Sequence, residues 1–297
     1  FQWYWFFDRE LCEESGKLNA IQKFMDEKKI GRKPQIALVT DQESQLYSNW
    51  YANPTHMTRY FIDRFGCDTE LFELRDFLKG DDWKNFRMVI FLNIRALSTG
   101  ERQEIEKLKT DGRMLVFMHD PGIINLTEIN PGKSLDISTL TGIKLRANGD
   151  EKLVEKIYID TQKYNQAFGK APGEKLIYDG PENNVVKAIM NKHICIADCA
   201  ADSYIGNALQ NVECIDDEAV KLGCDKSGKC RFALKKNNNW TSAYTASCLI
   251  SPAIVRDLAK LAGCHIYLDT DDISFSSENF VAVHAVSNGT KHINLPR

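Results

Sequence analysis

The chain has 297 residues, 43% of them hydrophobic and 27% charged, which is ordinary for a soluble globular protein. Its 38 basic and 41 acidic residues give a formal net charge of −3, which argues against nucleic-acid partners because those need a basic surface stripe. No apolar run reaches the roughly 18–20 residues of a membrane-spanning helix, so we expect a soluble protein without a membrane partner, in a compartment that the sequence leaves open.

The first residues follow a strand-then-helix pattern. Residues 1–8 are mostly aromatic and predict a buried strand, and residues 16–29 predict a helix with one apolar face. Because an exposed aromatic terminus is unfavourable, we expect the chain to be an internal fragment of a larger protein. Trp3, Trp5 and Asp8 are a possible sugar-facing set, since aromatic rings stack on sugars and an acid at the carboxyl end of a barrel strand faces the active site. An apolar core strand followed by a helix cap explains these three residues more simply.

Strands and helices alternate over residues 35–125. The predicted strands are 35–40, 69–74, 88–92 and 114–118, and the predicted helices are 54–65 and 99–109. Ser98 and Glu101 form a capping-box pattern at the start of the second helix. Strands separated by helices imply parallel pairing with right-handed crossovers, so this region predicts half of a doubly wound α/β sheet.

The pattern is less regular from residue 142 to residue 245. Residues 142–179 predict loops or antiparallel strands, and residues 185–189 and 193–197 fit strand or helix equally well. Residues 231–234 and 240–245 have the apolar and β-branched content of strands.

A clear helix begins after Ser251, which is the expected N-cap residue, with Pro252 at the first helical position and Gly263 at the end. A strand is predicted directly after it, at residues 265–268. The remaining short strands have the tight turns of an antiparallel arrangement, and they are predicted at 273–276, 280–286 and 292–295.

Polar residues stand where the predicted parallel strands end. Asp41, Asn93, His119 and Asp120 each follow such a strand, and the carboxyl edge of an open α/β sheet is where ligands bind. These four residues are therefore a candidate ligand crevice. The alternative is that loops at strand ends are polar whether or not they bind anything.

The turn at residues 118–122 lies where a nucleophile elbow would place a cysteine or a serine. It reads Met-His-Asp-Pro-Gly and contains neither. We expect the side chains of His119 and Asp120 to diverge, because they are neighbours in sequence. No catalytic residue is therefore assigned to this chain.

The nine cysteines and one acidic cluster do not have the spacing of metal sites. Cys195 and Cys199 lack the repeated spacing of zinc sites, and the residues around Asp271 lack the glycine and distal glutamate of a calcium loop. We expect no metal and no cofactor. Cys224 and Cys230 flank a predicted turn and are candidates for a cross-hairpin disulfide in an oxidising compartment, with free thiols as the simpler alternative.

Several segments of the chain resemble segments of one protein family, and they occur in the same order as in that family. Residues 36–44 (IALVTDQES) resemble the opening of the glutamine amidotransferase-like domain in β-galactosidase-like glycoside hydrolases of family 42 and their relatives. Further similar segments are 89–93, 97–102, 111–122, 240–244, 252–263 and 265–271. Residues 5–8 resemble the last strand of the catalytic barrel, and residues 280–296 resemble the first strands of the following β-sandwich.

The resemblance implies three regions. These are the terminal strand and helix of a truncated (β/α)8 barrel at 1–32, a glutamine amidotransferase-like (flavodoxin-like) doubly wound domain at 33–268, and the start of an antiparallel β-sandwich at 269–297. It further implies a non-catalytic accessory and oligomerisation role, often as a trimer, in an enzyme whose catalytic carboxylates lie on earlier barrel strands. The expected partners are that missing N-terminal barrel, copies of the chain itself and a carbohydrate substrate.

Two other functions remain open at this level. One is a stand-alone amidotransferase-like hydrolase that uses the α/β crevice. The other is a carbohydrate-binding module with its ligand at Asp41, Asn93 and His119.

Overall fold

A computed structural model describes residues 9–47, 62–127, 137–148, 157–169, 211–247, 250–277, 280–286 and 288–296. Its helices are α1 (Arg9–Lys28), α2 (Gln42–Leu46), α3 (Leu74–Lys79), α4 (Thr99–Lys107), α5 (Ile137–Thr141), α6 (Thr161–Phe168) and α7 (Pro252–Leu261). Its first seven strands are β1 (Ile36–Thr40), β2 (Thr69–Glu73), β3 (Met88–Phe91), β4 (Ala96–Leu97), β5 (Arg113–Met118), β6 (Ile124–Asn125) and β7 (Leu145–Asn148). The other strands are β8 (Tyr158–Ile159), β9 (Asn211–Cys214), β10 (Val220–Cys224), β11 (Cys230–Lys236), β12 (Trp240–Thr245), β13 (Ile273–Ser276) and β14 (Val281–His284).

The main sheet has eight strands in the order β2-β1-β3-β5-β12-β11-β10-β8. The first five are parallel, and β12 pairs with β5 from Trp240 opposite Arg113 to Thr245 opposite Met118. From β12 onwards the pairing is antiparallel, through β11 and β10 to β8. The predicted α/β class is therefore confirmed as a mixed α/β fold with a large, mostly parallel sheet.

The central parallel strands are buried on both faces. Every residue of β1, β3 and β5 is buried, as expected for continuous apolar runs between two layers of helices. On one face Leu38 and Ile90 belong to a core that includes Leu258 of α7. On the other face Val89 belongs to a second core that includes Ile105 of α4. Side chains that alternate along each strand therefore pack into the cores on opposite faces of the sheet.

The two helices with the clearest predicted starts begin where the sequence places them. Ser98 caps α4 with a full capping box, in which the Ser98 hydroxyl accepts from the Glu101 N–H and Glu101 accepts from the Ser98 N–H. Helix α7 begins at Pro252, but the Ser251 side chain makes no capping hydrogen bond. Ser251 thus occupies the predicted N-cap position and Pro252 the first turn, while the capping hydrogen bond of the Ser251 side chain is not formed.

Other boundaries differ from the prediction. Residues 265–268 and 292–295 form no regular strands. They are joined by an isolated antiparallel bridge between Leu268 and Ile293 and by the Asn294 N–H, which donates to the Tyr267 carbonyl at 2.8 Å. Helices α2 and α3 were not predicted, because five or six residues carry too little periodicity. Most of the helix predicted at 54–65 and both segments at 185–197 lie outside the described residues.

Helix α1 is longer than predicted and begins at Arg9. Its predicted apolar face is exposed, with Leu18 at 66% and Phe24 at 53% of their full accessible area. At the other end of the chain β13 and β14 form a two-stranded antiparallel sheet. The three-region division and the β-sandwich remain predictions.

Candidate functional site

The four candidate crevice residues all lie at the carboxyl edge of the parallel strands. Asp41 follows β1, Asn93 lies just beyond β3, and His119 and Asp120 follow β5 directly. Strand β1 is flanked by β2 on one side and β3 on the other, so the chain order reverses next to β1. In open α/β sheets this reversal is the usual place for a ligand.

Asp41 and Asn93 are joined by their own hydrogen bonds. The Asn93 side-chain oxygen accepts from the Asp41 N–H at 2.8 Å and from the Thr40 hydroxyl at 3.0 Å. The Asn93 amide donates back to the Asp41 carbonyl at 3.0 Å. The Asn93 side chain therefore extends the hydrogen-bonded pairing of β1 with β3 by one residue beyond the backbone hydrogen bonds.

The Asp41 carboxylate caps the short helix α2. It accepts from the N–H of Ser44 at 2.8 Å and of Glu43 at 3.2 Å. Burial raises the pKa of Asp41 above its ordinary value, although the bonds from Ser44 oppose the rise. The buried Ser44 hydroxyl also accepts from the Ala96 N–H at 2.8 Å, which ties α2 to β4.

His119 and Asp120 lie in contact, contrary to the expectation that their side chains diverge. The Nδ1 atom of His119 is 3.0 Å from an oxygen of Asp120, whose other oxygen pairs with Arg95. The reason is the backbone of His119, which has a φ of +64° and turns the chain back on itself. Such a value is uncommon for a residue with a β-carbon and occurs at strained turns and functional sites.

The strained turn is held by its neighbours from β12. The His119 N–H donates to the Thr245 carbonyl at 2.7 Å, and the Tyr244 hydroxyl lies 2.8 Å from the His119 carbonyl. The same hydroxyl is 3.2 Å from the carbonyl of Val212 on β9. Burial raises the pKa of Tyr244, with the Asp120 charge adding to the effect, so this hydroxyl stays a neutral hydrogen-bond donor.

Arg95, Ser44 and Tyr244 were not identified from the sequence as parts of this edge. Each of them contacts a residue at least 25 positions away in the chain, which local sequence patterns do not reveal. Their position near predicted strand ends was the one signal that the sequence offered. The three sugar-facing candidates, Trp3, Trp5 and Asp8, lie outside the described residues.

The turn at residues 118–122 supplies no nucleophile. His119 and Asp120 are two of the residue types of a catalytic triad, yet residues 118–122 carry no hydroxyl or thiol. The four candidates are also buried, with Asp41 at 1% and Asn93, the most exposed of them, at 7% accessibility. In the described residues this edge is a hydrogen-bonded, charge-paired cluster rather than an open crevice.

In the described ranges, no group of three or more His, Cys, Asp or Glu side chains is arranged to hold a metal ion. Asp271 and Asp272 of the acidic cluster instead pair with Arg256 and Lys291. In the same ranges, no helix combines the length and the apolarity required to cross a bilayer.

The fold is similar to that of solved β-galactosidases, although no family model matches the chain and no curated protein matches it. The cold-adapted β-galactosidase from Rahnella sp. R3 has a TM-score of 0.59 at 14% identity, over 92% of this chain and 38% of that one. A GH42 β-galactosidase from G. stearothermophilus has a TM-score of 0.58 at 9% identity, over 91% and 37%. The β-galactosidase from Bacillus circulans sp. alkalophilus has a TM-score of 0.54 at 14% identity, over 88% and 35%.

This likeness concerns the fold, and it concerns only part of each of those proteins. The chain spans between 35% and 38% of the length of these three β-galactosidases. It thus shares the architecture of a partial region found in GH42 β-galactosidases.

Proposed function

We propose that this chain is a non-catalytic accessory and oligomerisation region of a β-galactosidase-like glycoside hydrolase. The observation that carries the proposal is the fold likeness, at TM-scores of 0.54 to 0.59, to about a third of three β-galactosidases. The match covers most of this chain but only a minor part of each enzyme. It therefore favours the interpretation that this chain corresponds to one region of such an enzyme and not to a complete enzyme.

In this proposal residues 33–268 form a glutamine amidotransferase-like domain. The five parallel strands, counted along the chain, have the order second, first, third, fourth, fifth, which is the flavodoxin-like order. The helices pack on both faces of that sheet, as two separate cores show. Both features support a doubly wound domain.

The buried polar cluster supports a non-catalytic role. A group that reacts with a substrate must be able to contact it, whereas Asp41, Asn93 and Asp120 are engaged by Ser44, Asp41 and Arg95. His119 takes the strand-to-turn position that a nucleophile would need. The cluster therefore contributes rigidity at the sheet edge in this proposal.

The exposed apolar face of α1 supports a packing partner at the N-terminal side. Leu18, Ile21 and Phe24 recur at helical spacing and are each more than 40% exposed, an apolar strip that normally marks a contact surface. In the proposal this strip packs on the rest of a (β/α)8 barrel that precedes the helix. The hairpin of β13 and β14 would begin the β-sandwich that follows.

Two measurements on the chain test the proposal together. We expect no hydrolysis of nitrophenyl β-galactoside or of other aryl glycosides, and no release of ammonia from glutamine. Sedimentation equilibrium at micromolar concentration should show self-association, with a trimer as the expected species. Turnover by the chain alone, or a strictly monomeric chain, would contradict it.

A carbohydrate-binding module is the second candidate. The left-handed backbone of His119 beside the reversal point of the sheet favours it, and the burial of the four crevice residues counts against it. Titration calorimetry with β-linked oligosaccharides should then show binding that His119→Ala abolishes. Equal heats from the original chain and the variant would eliminate this site.

A further inference from the structure

A polar groove lies at the end of the main sheet opposite to His119. In the part of the chain that the structure describes, its volume is about 470 Å³, within the usual range of small-molecule sites, about 300–1,000 Å³. The turn that joins β11 to β12, at residues 236–240, forms one wall. Trp240 begins β12 and Thr245 ends it beside His119, so about 16 Å of strand separates the two sites, at about 3.3 Å per residue.

The turn at residues 236–240 is held in place from both sides. The Asn237 N–H donates to the Trp240 carbonyl at 2.9 Å, and the Gly112 N–H donates to the Asn239 carbonyl at 2.7 Å. The three asparagines of the turn therefore project from a backbone whose position is set before any ligand arrives. Such preorganisation lowers the entropic cost of binding.

The ring of Trp240 is also fixed. Gly142 lies so close that a β-carbon at its position would be 2.6 Å from the ring. The Lys109 ammonium lies 5.2 Å from the ring centroid and donates to the Thr139 carbonyl at 2.9 Å. Trp240 remains half-buried, so its accessible part gives the groove an apolar patch against which the C–H groups of a sugar ring can pack.

Asn237 supplies the observation that points to a ligand. Its amide nitrogen is buried and has no hydrogen-bond partner among the described residues, whereas buried donors in folded proteins nearly always have one. The side chain lines the groove, so an acceptor on a bound molecule can satisfy this nitrogen. Asn238 and Asn239 are exposed beside it, and each amide offers two donors and an acceptor.

The charges around the groove balance. Lys235 lies 2.9 Å from Asp216 and 2.8 Å from Glu218. In total three ammonium groups stand against three carboxylates, and these groups belong to Lys109, Lys235, Lys236, Glu106, Asp216 and Glu218. The groove therefore has no net attraction for an anion. A neutral ligand rich in hydroxyl groups matches its amides, since each hydroxyl both donates and accepts hydrogen bonds.

We propose that the groove at residues 236–240 binds a neutral oligosaccharide, with Asn237 donating to a sugar oxygen and Trp240 packing against a sugar ring. This inference goes beyond the proposed function, which assigns no ligand to this end of the sheet. The chemistry of the groove carries it, and only the choice of a galactoside as one probe rests on the proposed function.

Titration calorimetry and hydrogen exchange of the whole chain test this site. The probes are β-linked galacto-oligosaccharides, β-linked gluco-oligosaccharides and, as the charged counterpart, an oligogalacturonate. Each is added up to about 10 mM, so that dissociation constants in the millimolar range are detected. We expect binding of a neutral oligosaccharide, with slower amide exchange in a peptide that contains residues 236–240.

Variants connect the heat of binding to the groove. Asn237→Ala should weaken binding about tenfold, because one hydrogen bond to the ligand is lost. Asn288→Ala, at another exposed position, is the matched control and should leave the affinity unchanged. Urea denaturation establishes that both variants are folded. The exchange measurement on the unmodified chain needs no variant, so it decides the question even if Asn237→Ala fails to fold.

Four results would overturn the proposal. They are no binding of either neutral probe, binding of the oligogalacturonate alone, exchange protection that leaves residues 236–240 unchanged, and equal affinities of folded Asn237→Ala and Asn288→Ala. None of them bears on the proposed accessory role. Turnover of aryl glycosides or a strictly monomeric chain would contradict that role and leave this site standing.

Discussion

Asn93 binds both backbone polar groups of Asp41, accepting from its N–H at 2.8 Å and donating to its carbonyl at 3.0 Å. A side-chain amide has the same donor and acceptor as a peptide group, so Asn93 imitates one further residue of the β1–β3 ladder. The two residues are 52 positions apart in the chain. This pairing satisfies the backbone polar groups of Asp41 at the edge of the sheet, beside the point where the strand order reverses.

Removing the Asn93 amide should destabilise the fold. In Asn93→Ala the buried N–H and carbonyl of Asp41 and the Thr40 hydroxyl lose their partner, and we expect a loss of about 2–4 kcal/mol in the free energy of unfolding. Urea denaturation should show a lower midpoint with an unchanged slope. Asn238→Ala, in the exposed turn between β11 and β12, is the control and should stay within about 0.5 kcal/mol. Equal midpoints for the two variants would refute the structural role of Asn93.

The buried Arg95–Asp120 pair should behave as a coupled unit. Asp120→Ala leaves the Arg95 charge buried and unpaired, and we expect it to cost about 3–5 kcal/mol. Adding Arg95→Leu to it should recover a large part of that loss, because no charge is then left alone. A double-mutant cycle from urea denaturation measures the coupling. Additive losses in the cycle would show that the two side chains act independently.

The positive φ of His119 predicts that glycine at this position gives a more stable protein than alanine does. His119→Gly should be about 1 kcal/mol more stable than His119→Ala, because glycine adopts a φ of +64° without strain. The same pair of substitutions at exposed Gln103 in α4 should show the opposite order, since alanine favours helix by about 1 kcal/mol. Thermal or urea unfolding of the four variants measures both differences. The same order at both positions would contradict the strained backbone at His119.

The lowered pKa of Asp216 predicts that the fold loses stability in acid. Burial alone would raise its pKa, but the N–H groups of Lys144 and Glu218 and the Lys235 ammonium donate to it and hold the pKa below its ordinary value. A group with a lowered folded-state pKa stabilises the fold above its unfolded pKa of about 3.9, and this contribution is lost as the pH falls further. The difference in unfolding free energy between the original chain and Asp216→Asn should therefore be constant near neutral pH and shrink below about pH 4.

Asp217→Asn is the matched control for this acid effect. Asp217 is the next residue, and its side chain is 98% exposed, so its substitution should change stability by less than about 0.5 kcal/mol at every pH. A difference between the original chain and Asp216→Asn that stays constant below pH 4 would contradict the assignment.

Prediction from sequence succeeded where one local signal was strong. The apolar run at β5, the strand at 240–245 and the capping box at Ser98 all appear as expected, because burial on both faces and local capping are encoded in adjacent residues. It failed for the strand at 265–268, whose alternating pattern produces only the single bridge at Leu268. A strand needs a partner as well as a pattern, and the partner lies 25 residues further along the chain.

The four candidate residues lie at the strand ends where the sequence placed them, but their contacts with one another were not predicted. That His119 and Asp120 follow a buried strand is evident from their position after Met118. That they touch depends on a left-handed backbone at His119, which a histidine adopts only when Thr245 and Tyr244 hold the turn. The contact of Asp120 with Arg95 likewise depends on bringing two separate strand ends together.

The sequence by itself determined which strands are buried and where polar residues leave the sheet, because hydrophobic runs and strand ends are properties of neighbouring residues. The tertiary structure alone decided how those polar residues are satisfied. Asn93 hydrogen-bonds to Asp41, Arg95 pairs with Asp120, and Cys230 lies opposite Cys224, because each of these pairs is brought together only by folding. A buried polar group must find a partner when water is excluded, and only the folded sheet determines which partner is within reach.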